Sequence, residues 1–298
     1  MLADLDEDPV TAAATKGRHV PGTPYEWSHG WVRAGMHPPT DADHAALKQQ
    51  GIKIPPGWTE VQVANDPKAD LQVLGRDSKG RAQYVYSAEH SARQSAAKFA
   101  RIRAMHDKMP AIDSALARDA GTNDDAAAVM LIRRMGLRPG SDADTGAEKK
   151  AYGATNLLAG HTTVEGSVVR LRFTGKKGVN LDLEVDDPDL AKVIEPRLSG
   201  KAPGERLLAT NERKTAAYLH RIDPAVKLKD LRTYRGTDIA RQTVADYPAP
   251  TNRKTYTAAT REVAVRVSRA LGNTPAVALE SYIDPDVFSP WRGVADLR

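Results

Sequence analysis

From Ala88 to Met109 the chain runs AEHSARQSAAKFARIRAMHDKM, with no glycine or proline and many good helix formers. The stretch before it, 21–87, is of the opposite kind: Pro, Gly and Trp punctuate short β-prone runs. A switch of this sort excludes one uniform architecture and requires a small β-rich module followed by a mainly helical one. The 298 residues are enough for two domains, each with a core of its own. Residues 1–20 read as a flexible tail, so the expected limits are 21–91 for the β-rich domain and 92–298 for the helical one.

Within the first domain, Leu71–Tyr86 reads as a hairpin: LQVLG, a turn at DSKGR, then AQYVY with period-two alternation. Ile52–Val63 (IKIPPGWTEVQV) is expected to pair two β-prone runs around a Pro-Pro-Gly turn. Further helices are expected at 110–119, 124–136, 188–197, 209–221, 229–246, 252–271 and 275–282, with breaks at Pro203, Pro224, Pro248 and Gly272. One β unit interrupts them. Val169, Leu171 and Phe173 alternate with Arg170 and Arg172, and Val179, Leu181, Leu183 and Val185 alternate with Asn180, Asp182 and Glu184. Folding about Lys176 pairs Phe173 with Val179, Leu171 with Leu181 and Arg170 with Asp182, which puts all apolar residues on one face. Lys176 then stands at the apex of the tip Thr174–Gly178. The expected class is α+β: a β-rich N-terminal domain and a larger, mainly α-helical domain containing a β-hairpin unit.

Composition narrows the chemistry. Without cysteine there is no disulfide, zinc–thiolate site or cysteine nucleophile. No apolar run approaches the roughly 20 residues that cross a bilayer, and the acidic start lacks the apolar core of a secretory signal; a cytoplasmic location is expected. A net charge of +5 suits a polyanionic partner without demanding one. The positive charge is segregated: Arg81, Arg93, Lys98, Arg101, Arg103 and Lys108 form one basic stretch, and an acidic block follows at Asp182–Asp189. There is no P-loop, no dinucleotide fingerprint and no paired-His motif, so neither ATP, another cofactor nor a protein-bound metal has support in the sequence.

What remains is a dispersed set: Leu137-Arg138-Pro139-Gly140, the Gly175-Lys176 tip, Lys229-Asp230-Leu231-Arg232-Thr233-Tyr234, Leu271-Gly272-Asn273-Thr274-Pro275 and Ser281-Tyr282. Order and spacing resemble the catalytic domain of type IB DNA topoisomerases, in particular the short bacterial and poxvirus-type enzymes. Pro55-Pro56-Gly57-Trp58 and Gly75–Tyr86 resemble their N-terminal DNA-clamping domain, so the likeness spans about residues 50 to 290. It implies the tyrosine recombinase/type IB catalytic fold, and a monomer that closes as a clamp around double-stranded DNA, nucleoid-associated and without metal. It also implies that Tyr282 attacks a backbone phosphate, leaving a 3′-phosphotyrosyl link and a free 5′-hydroxyl.

The residue types suit transesterification at phosphorus. Arg138 and Arg232 would offer fixed cationic forks to the nonbridging oxygens. The phenol of Tyr282, with an ordinary pKa of about 10, needs nearby cations to favour the phenolate. Lys176 would protonate the leaving 5′-oxygen. Asn273 stands where part of the family has His; an amide donates a hydrogen bond but brings no charge, which leaves the proton chemistry to Lys176. In the β-rich domain the resemblance implies major-groove contacts from Gln83, Tyr84 and Tyr86, with Lys98, Arg101 and Lys229 as further DNA-binding residues. Taken singly, each residue has a plainer reading: Tyr282 as a half-buried helix tyrosine, Lys176 as a solvated turn lysine, Arg232 as an ion-pair partner. It is the joint order that carries the functional one. A tyrosine recombinase shares this chemistry, but usually has His where Lys229 stands and a helical N-terminal region. A non-catalytic DNA-binding protein would not need all five site residues.

Overall fold

The computed structural model describes residues 33–142 and 150–295; the expected tail at 1–20 lies outside the described residues. The fold is mixed, helices with two antiparallel sheets. The chain divides into two compact units, 1–98 and 99–298, and the division falls within helix α2 (Ala88–Ala104). Among the described residues no helix is long and apolar enough to cross a membrane.

The first unit is a four-stranded antiparallel sheet in the order β1-β2-β3-β4 (Met36–His37, Thr59–Ala64, Leu71–Arg76, Ala82–Tyr86). Its core is Leu47, Val61, Val63 and Val73, with Ile52, Ile54, Trp58 and Val85 packed against them. The β3–β4 hairpin forms as expected, with Gly75 opposite Gln83 and Leu74 opposite Tyr84. The expected pairing across Pro-Pro-Gly does not. Residues 52–54 are irregular because β2 already has β1 on one side and β3 on the other, and Pro55 and Pro56 have no N–H to offer a ladder. Ile52 and Ile54 contribute side chains to the core instead. Helix α1 (Asp41–Gln49) was not expected; its capping box joins Thr40 to Asp43, with the Asp43 carboxylate accepting from Thr40 N at 2.8 Å.

In the second unit, α2 stops at Ala104 and does not continue to Met109. Pro110 cannot donate to the turn before it, so a new helix, α3 (Met109–Asp119), begins with that proline in its first turn. Helix α4 (Asp124–Met135) is buried on every face from Ala126 to Ile132. Its N-terminus is capped by the Asn123 side chain, which accepts from Asp125 N at 2.8 Å, and it ends at Gly136 in the left-handed region (φ 65°). Packed about α4 are α5 (Pro188–Leu198), α6 (Glu212–Ile222), α7 (Leu228–Asp246) and a sheet in the order β5-β6-β7 (Thr162–Glu165, Val168–Thr174, Asn180–Asp186). A second core gathers α8 (Arg253–Leu271), the end of α7, Ala278 of α9 (Pro275–Ser281) and Phe288 and Trp291 beyond it.

The β unit thus has three strands where two were expected, and its register differs. Phe173 faces Leu181, Leu171 faces Leu183 and Arg170 faces Glu184. Lys177 and Gly178 both take left-handed conformations (φ 64° and 75°), and the Gly175 N–H closes on Val179 O at 2.7 Å, which moves the fold point past Lys176. A shift of two residues leaves every side chain on its expected face. Arg170 still reaches Asp182, diagonally, at 2.7 Å.

Gly236, inside α7, lies under the main chain of Tyr282: a Cβ there would stand 2.8 Å from Tyr282 O and 3.0 Å from Leu271 Cδ1. Glycine to alanine in a helix interior ordinarily stabilises by about 0.5–1 kcal/mol. Here the overpacking term, about 1–3 kcal/mol, opposes it. Gly236→Ala is therefore expected to lower the midpoint of chemical denaturation; a raised midpoint would mean that the contact is relieved at no cost.

Candidate active site

The site is built around Arg232, in the second turn of α7 and only 3% exposed. Its Nη2 donates to Leu271 O at 2.6 Å, and its Nη1 to Gly136 O. Leu271 is the last residue of α8 and Gly136 caps α4, so two helix C-termini, each with outward-pointing carbonyls and partial negative charge, receive the buried guanidinium. Burial still pushes its pKa down; the adjoining Tyr282 opposes that shift, and the neighbouring cation Arg138 adds to it.

Tyr282 caps α9 and is held by its backbone. Its N–H donates to Ala278 O at 2.9 Å, and its carbonyl accepts from Thr237 Oγ1 at 3.2 Å. The Arg232 Cζ lies 4.9 Å from the centre of the Tyr282 ring. Burial pushes the phenol up, but the charge and hydrogen bonding of Arg232, and then of Arg138, outweigh it and leave the pKa below the ordinary tyrosine value. Arg138 comes from the loop that follows Gly136, pinned through Ala154 N to Arg138 O at 2.9 Å and Thr155 N to Pro139 O at 2.7 Å. Three of the five expected site residues are thus brought together.

No side-chain hydrogen bond or ion pair joins Lys176 or Asn273 to that cluster among the described residues. Lys176 is exposed at the hairpin tip and makes no hydrogen bond or ion pair among the described residues. The Asn273 amide is shielded at both Oδ1 and Nδ2, and neither atom has a hydrogen-bond partner among the described residues. The two sites are nonetheless joined through Leu181 of β7. Its side chain fills the space that a Cβ would need at Gly175, next to Lys176, and at Gly272, next to Asn273. The base of the hairpin therefore rests on the α8–α9 turn.

Thr237 and Gly236, which hold the Tyr282 main chain, were not foreseen. An isolated glycine inside the strong helical run LKDLRTYRGTDIARQTVAD was the available signal. In the first unit, strand alternation puts Tyr84 and Tyr86 on one face and Gln83 on the other with Val85. Gln83 donates to Asp77 Oδ2 at 3.0 Å, and the Tyr86 ring stacks on His90 at 4.6 Å. Lys98 is half-buried on α2 and Lys229 is exposed on α7. Arg101 donates from Nε and Nη2 to Asp230, at 3.0 and 3.1 Å, which leaves the second Nη2 hydrogen and both on Nη1 as further donors.

Residues 87–283 match the family model of the eukaryotic DNA topoisomerase I catalytic core. The chain belongs to the type IB DNA topoisomerase family. It is 28% identical over 254 residues to a DNA topoisomerase 1B of Acanthamoeba polyphaga mimivirus, covering 78% of this chain and 75% of the relative. It is 23% identical over 265 residues to a monkeypox virus DNA topoisomerase I and to a DNA topoisomerase 1B of vaccinia virus, covering 83% of this chain and 82% of each relative. The span matched by the topoisomerase family model encloses Arg138, Lys176, Arg232, Asn273 and Tyr282.

The lowered phenol pKa can be checked directly. Tyr282, observed by NMR of a labelled ring carbon and assigned by its loss in Tyr282→Phe, is expected to titrate below free tyrosine. Arg138→Gln removes one of the cations that lower it, so its midpoint should move to higher pH. An unmoved midpoint would disconnect the two groups.

Proposed function

We propose that the chain relaxes supercoiled double-stranded DNA, without ATP or metal, by transient cleavage of one strand through a 3′-phosphotyrosyl intermediate. The observation that carries this reading is the Arg138–Arg232–Tyr282 cluster, a phenol whose ionisation is favoured by two guanidinium groups. Tyr282 Oη forms a bond to phosphorus as the bond from phosphorus to the 5′-oxygen breaks. Arg138 and Arg232 take the charge that grows on the nonbridging oxygens, and Asn273 adds an N–H from an amide that lacks a partner among the described residues. Lys176 gives its proton to the departing 5′-oxygen, and the phenol proton passes to solvent. The phosphodiester energy is kept in the tyrosyl ester, so the 5′-hydroxyl can attack and reseal the strand with no other input.

In this reading the first unit is the DNA-clamping domain and the second carries the tyrosine recombinase/type IB catalytic fold, with the division near the 91/92 limit of the sequence or a little beyond it. A monomer closes around the duplex. Tyr84 and Tyr86 meet the DNA from one face of β4, Gln83 reads base edges once it leaves Asp77, and Lys98, Arg101 and Lys229 meet phosphates. A place on the nucleoid, in the cytoplasm, goes with that substrate.

Purified protein is expected to relax positively and negatively supercoiled plasmid in EDTA and without ATP, and Tyr282→Phe to abolish both relaxation and the covalent adduct. An adduct on another residue, or on a 5′-phosphate, would overturn the assignment. For Lys176, the expected result is that Lys176→Ala slows cleavage by about 10²–10⁴-fold, the usual contribution of general acid catalysis. A 5′-phosphorothiolate leaving group, which needs no proton, should restore the rate; failure to do so removes Lys176 from the role.

A further inference from the structure

The last turn of α2 carries Arg101 and Arg103, and each is tied to a carboxylate that is almost fully buried. Arg101 holds Asp230, 1% exposed, through the two-nitrogen fork described above. Arg103 Nη1 donates to Asp284 Oδ1 at 2.9 Å and Oδ2 at 2.7 Å; Asp284 is 2% exposed. Both carboxylates occupy equivalent places in the chain: Asp230 stands two residues before Arg232, and Asp284 two residues after Tyr282. One turn of one helix therefore grips the segments that carry the central guanidinium and the phenol.

The tie at Asp284 continues inward. Its backbone N–H donates to Thr237 Oγ1 at 3.2 Å, and that hydroxyl donates to Tyr282 O at 3.2 Å. The Tyr282 carbonyl also lies 2.8 Å from where a Cβ at Gly236 would stand, so only the absence of a side chain there makes room for it. Both arginines are partly exposed, and an ion pair whose cation faces solvent is a poor device for stability. What a charged fork supplies that an apolar contact does not is direction.

We propose that Arg101 and Arg103 are positioning residues for strand cleavage: the end of α2 sets the placement of Arg232 and Tyr282 relative to each other. The proposal rests on the reading of Tyr282 as the nucleophile. The guanidinium groups bond to Asp230 and Asp284, not to the phenol, and each arginine acts through its aspartate. A displacement on the order of 1 Å at a reacting group costs about 10²-fold in rate, so a loosened tie should be visible in the chemical step.

The test uses the full chain and a duplex or plasmid substrate, with three readings for each protein: the single-turnover rate constant for the covalent adduct, the DNA dissociation constant at fixed salt, and the melting temperature. Arg103→Ala is expected to lower the rate constant by about 10- to 100-fold, with the dissociation constant changed by no more than about 2-fold. Arg103→Lys keeps one charged donor for Asp284 and should recover most of the rate. Asp284→Asn, nearly isosteric, should reproduce the loss seen in Arg103→Ala. A partly unfolded variant lowers the amplitude of adduct formation but leaves the rate constant of its folded fraction alone. An unchanged rate constant, with only amplitude or melting temperature reduced, would overturn the proposal and leave the two pairs as structural. A wild-type protein that forms no adduct at Tyr282 would overturn the nucleophile reading itself, a result visible before any variant is made.

Discussion

A guanidinium buried to 3% exposure must find its solvation inside the protein, and at Arg232 that solvation is two helix ends. Desolvating such a cation costs several kcal/mol even after relaxation. Two hydrogen bonds to a charged group return about 1.5–3 kcal/mol each, and the partial negative charge of a helix C-terminus adds to both. The arrangement requires α4 and α8 to finish at the same point in space, against the second turn of α7. Left-handed glycines end both helices, Gly136 (φ 65°) and Gly272 (φ 59°), so each chain turns away as soon as its last carbonyl has been delivered. The loop bearing Arg138 leaves from the first of these turns, and the turn bearing Asn273 from the second. The placement of the site residues follows from where two helices stop.

That geometry sets the electrostatics. Arg138 depresses the Arg232 pKa, as expected of like charges close together, while Tyr282 opposes the shift. From the side of the phenol, the same two cations outweigh burial. A pair of guanidinium groups forced together in a half-buried place is relieved by an anion between them, whether a phenolate or a phosphate oxygen. In the proposed reaction that anion is the charge developing on the phosphate, and the hydrogen bonds to helix carbonyls hold Arg232 in place before it appears.

The elements that sequence alone made legible were those whose information is local. Period-two alternation assigned the faces of β6 and β7, but it could not assign their register: a slip of two residues preserves every face, and the decision belongs to the left-handed backbone at Lys177 and Gly178. Strand β5 is four residues long, too short to announce itself. Helix α1 had a signal, the Thr40–Asp43 capping box, which the surrounding prolines and glycines obscured. At the site, Arg138, Arg232 and Tyr282 were legible through an ordered resemblance. The partner of Arg101 was not: Asp230 lies 129 positions along the chain, and nothing local to a basic helix distinguishes an arginine meant for a phosphate from one meant for a buried carboxylate. The same alternation that served for β6 also separates Gln83 from Tyr84 and Tyr86, a distinction available before any coordinates.

Tyr282 is fastened at one end. Its N–H is bonded to Ala278, its carbonyl to Thr237, its Cβ lies over Gly236, and the chain beyond it is anchored through Asp284. All of these restraints act on the main chain or its first carbon. The hydroxyl meets Arg232 and Arg138, groups that favour its ionisation and offer it no acceptor. A residue serving the core would be expected to divide its restraints differently, as Tyr218 does: its hydroxyl donates to Asp119 Oδ2 at 2.8 Å, and burial together with that carboxylate raises its pKa well above the ordinary tyrosine value. In the same fold one phenol is held as a donor and the other has its ionisation favoured, and the difference lies in whether a carboxylate or a pair of guanidinium groups stands beside the oxygen.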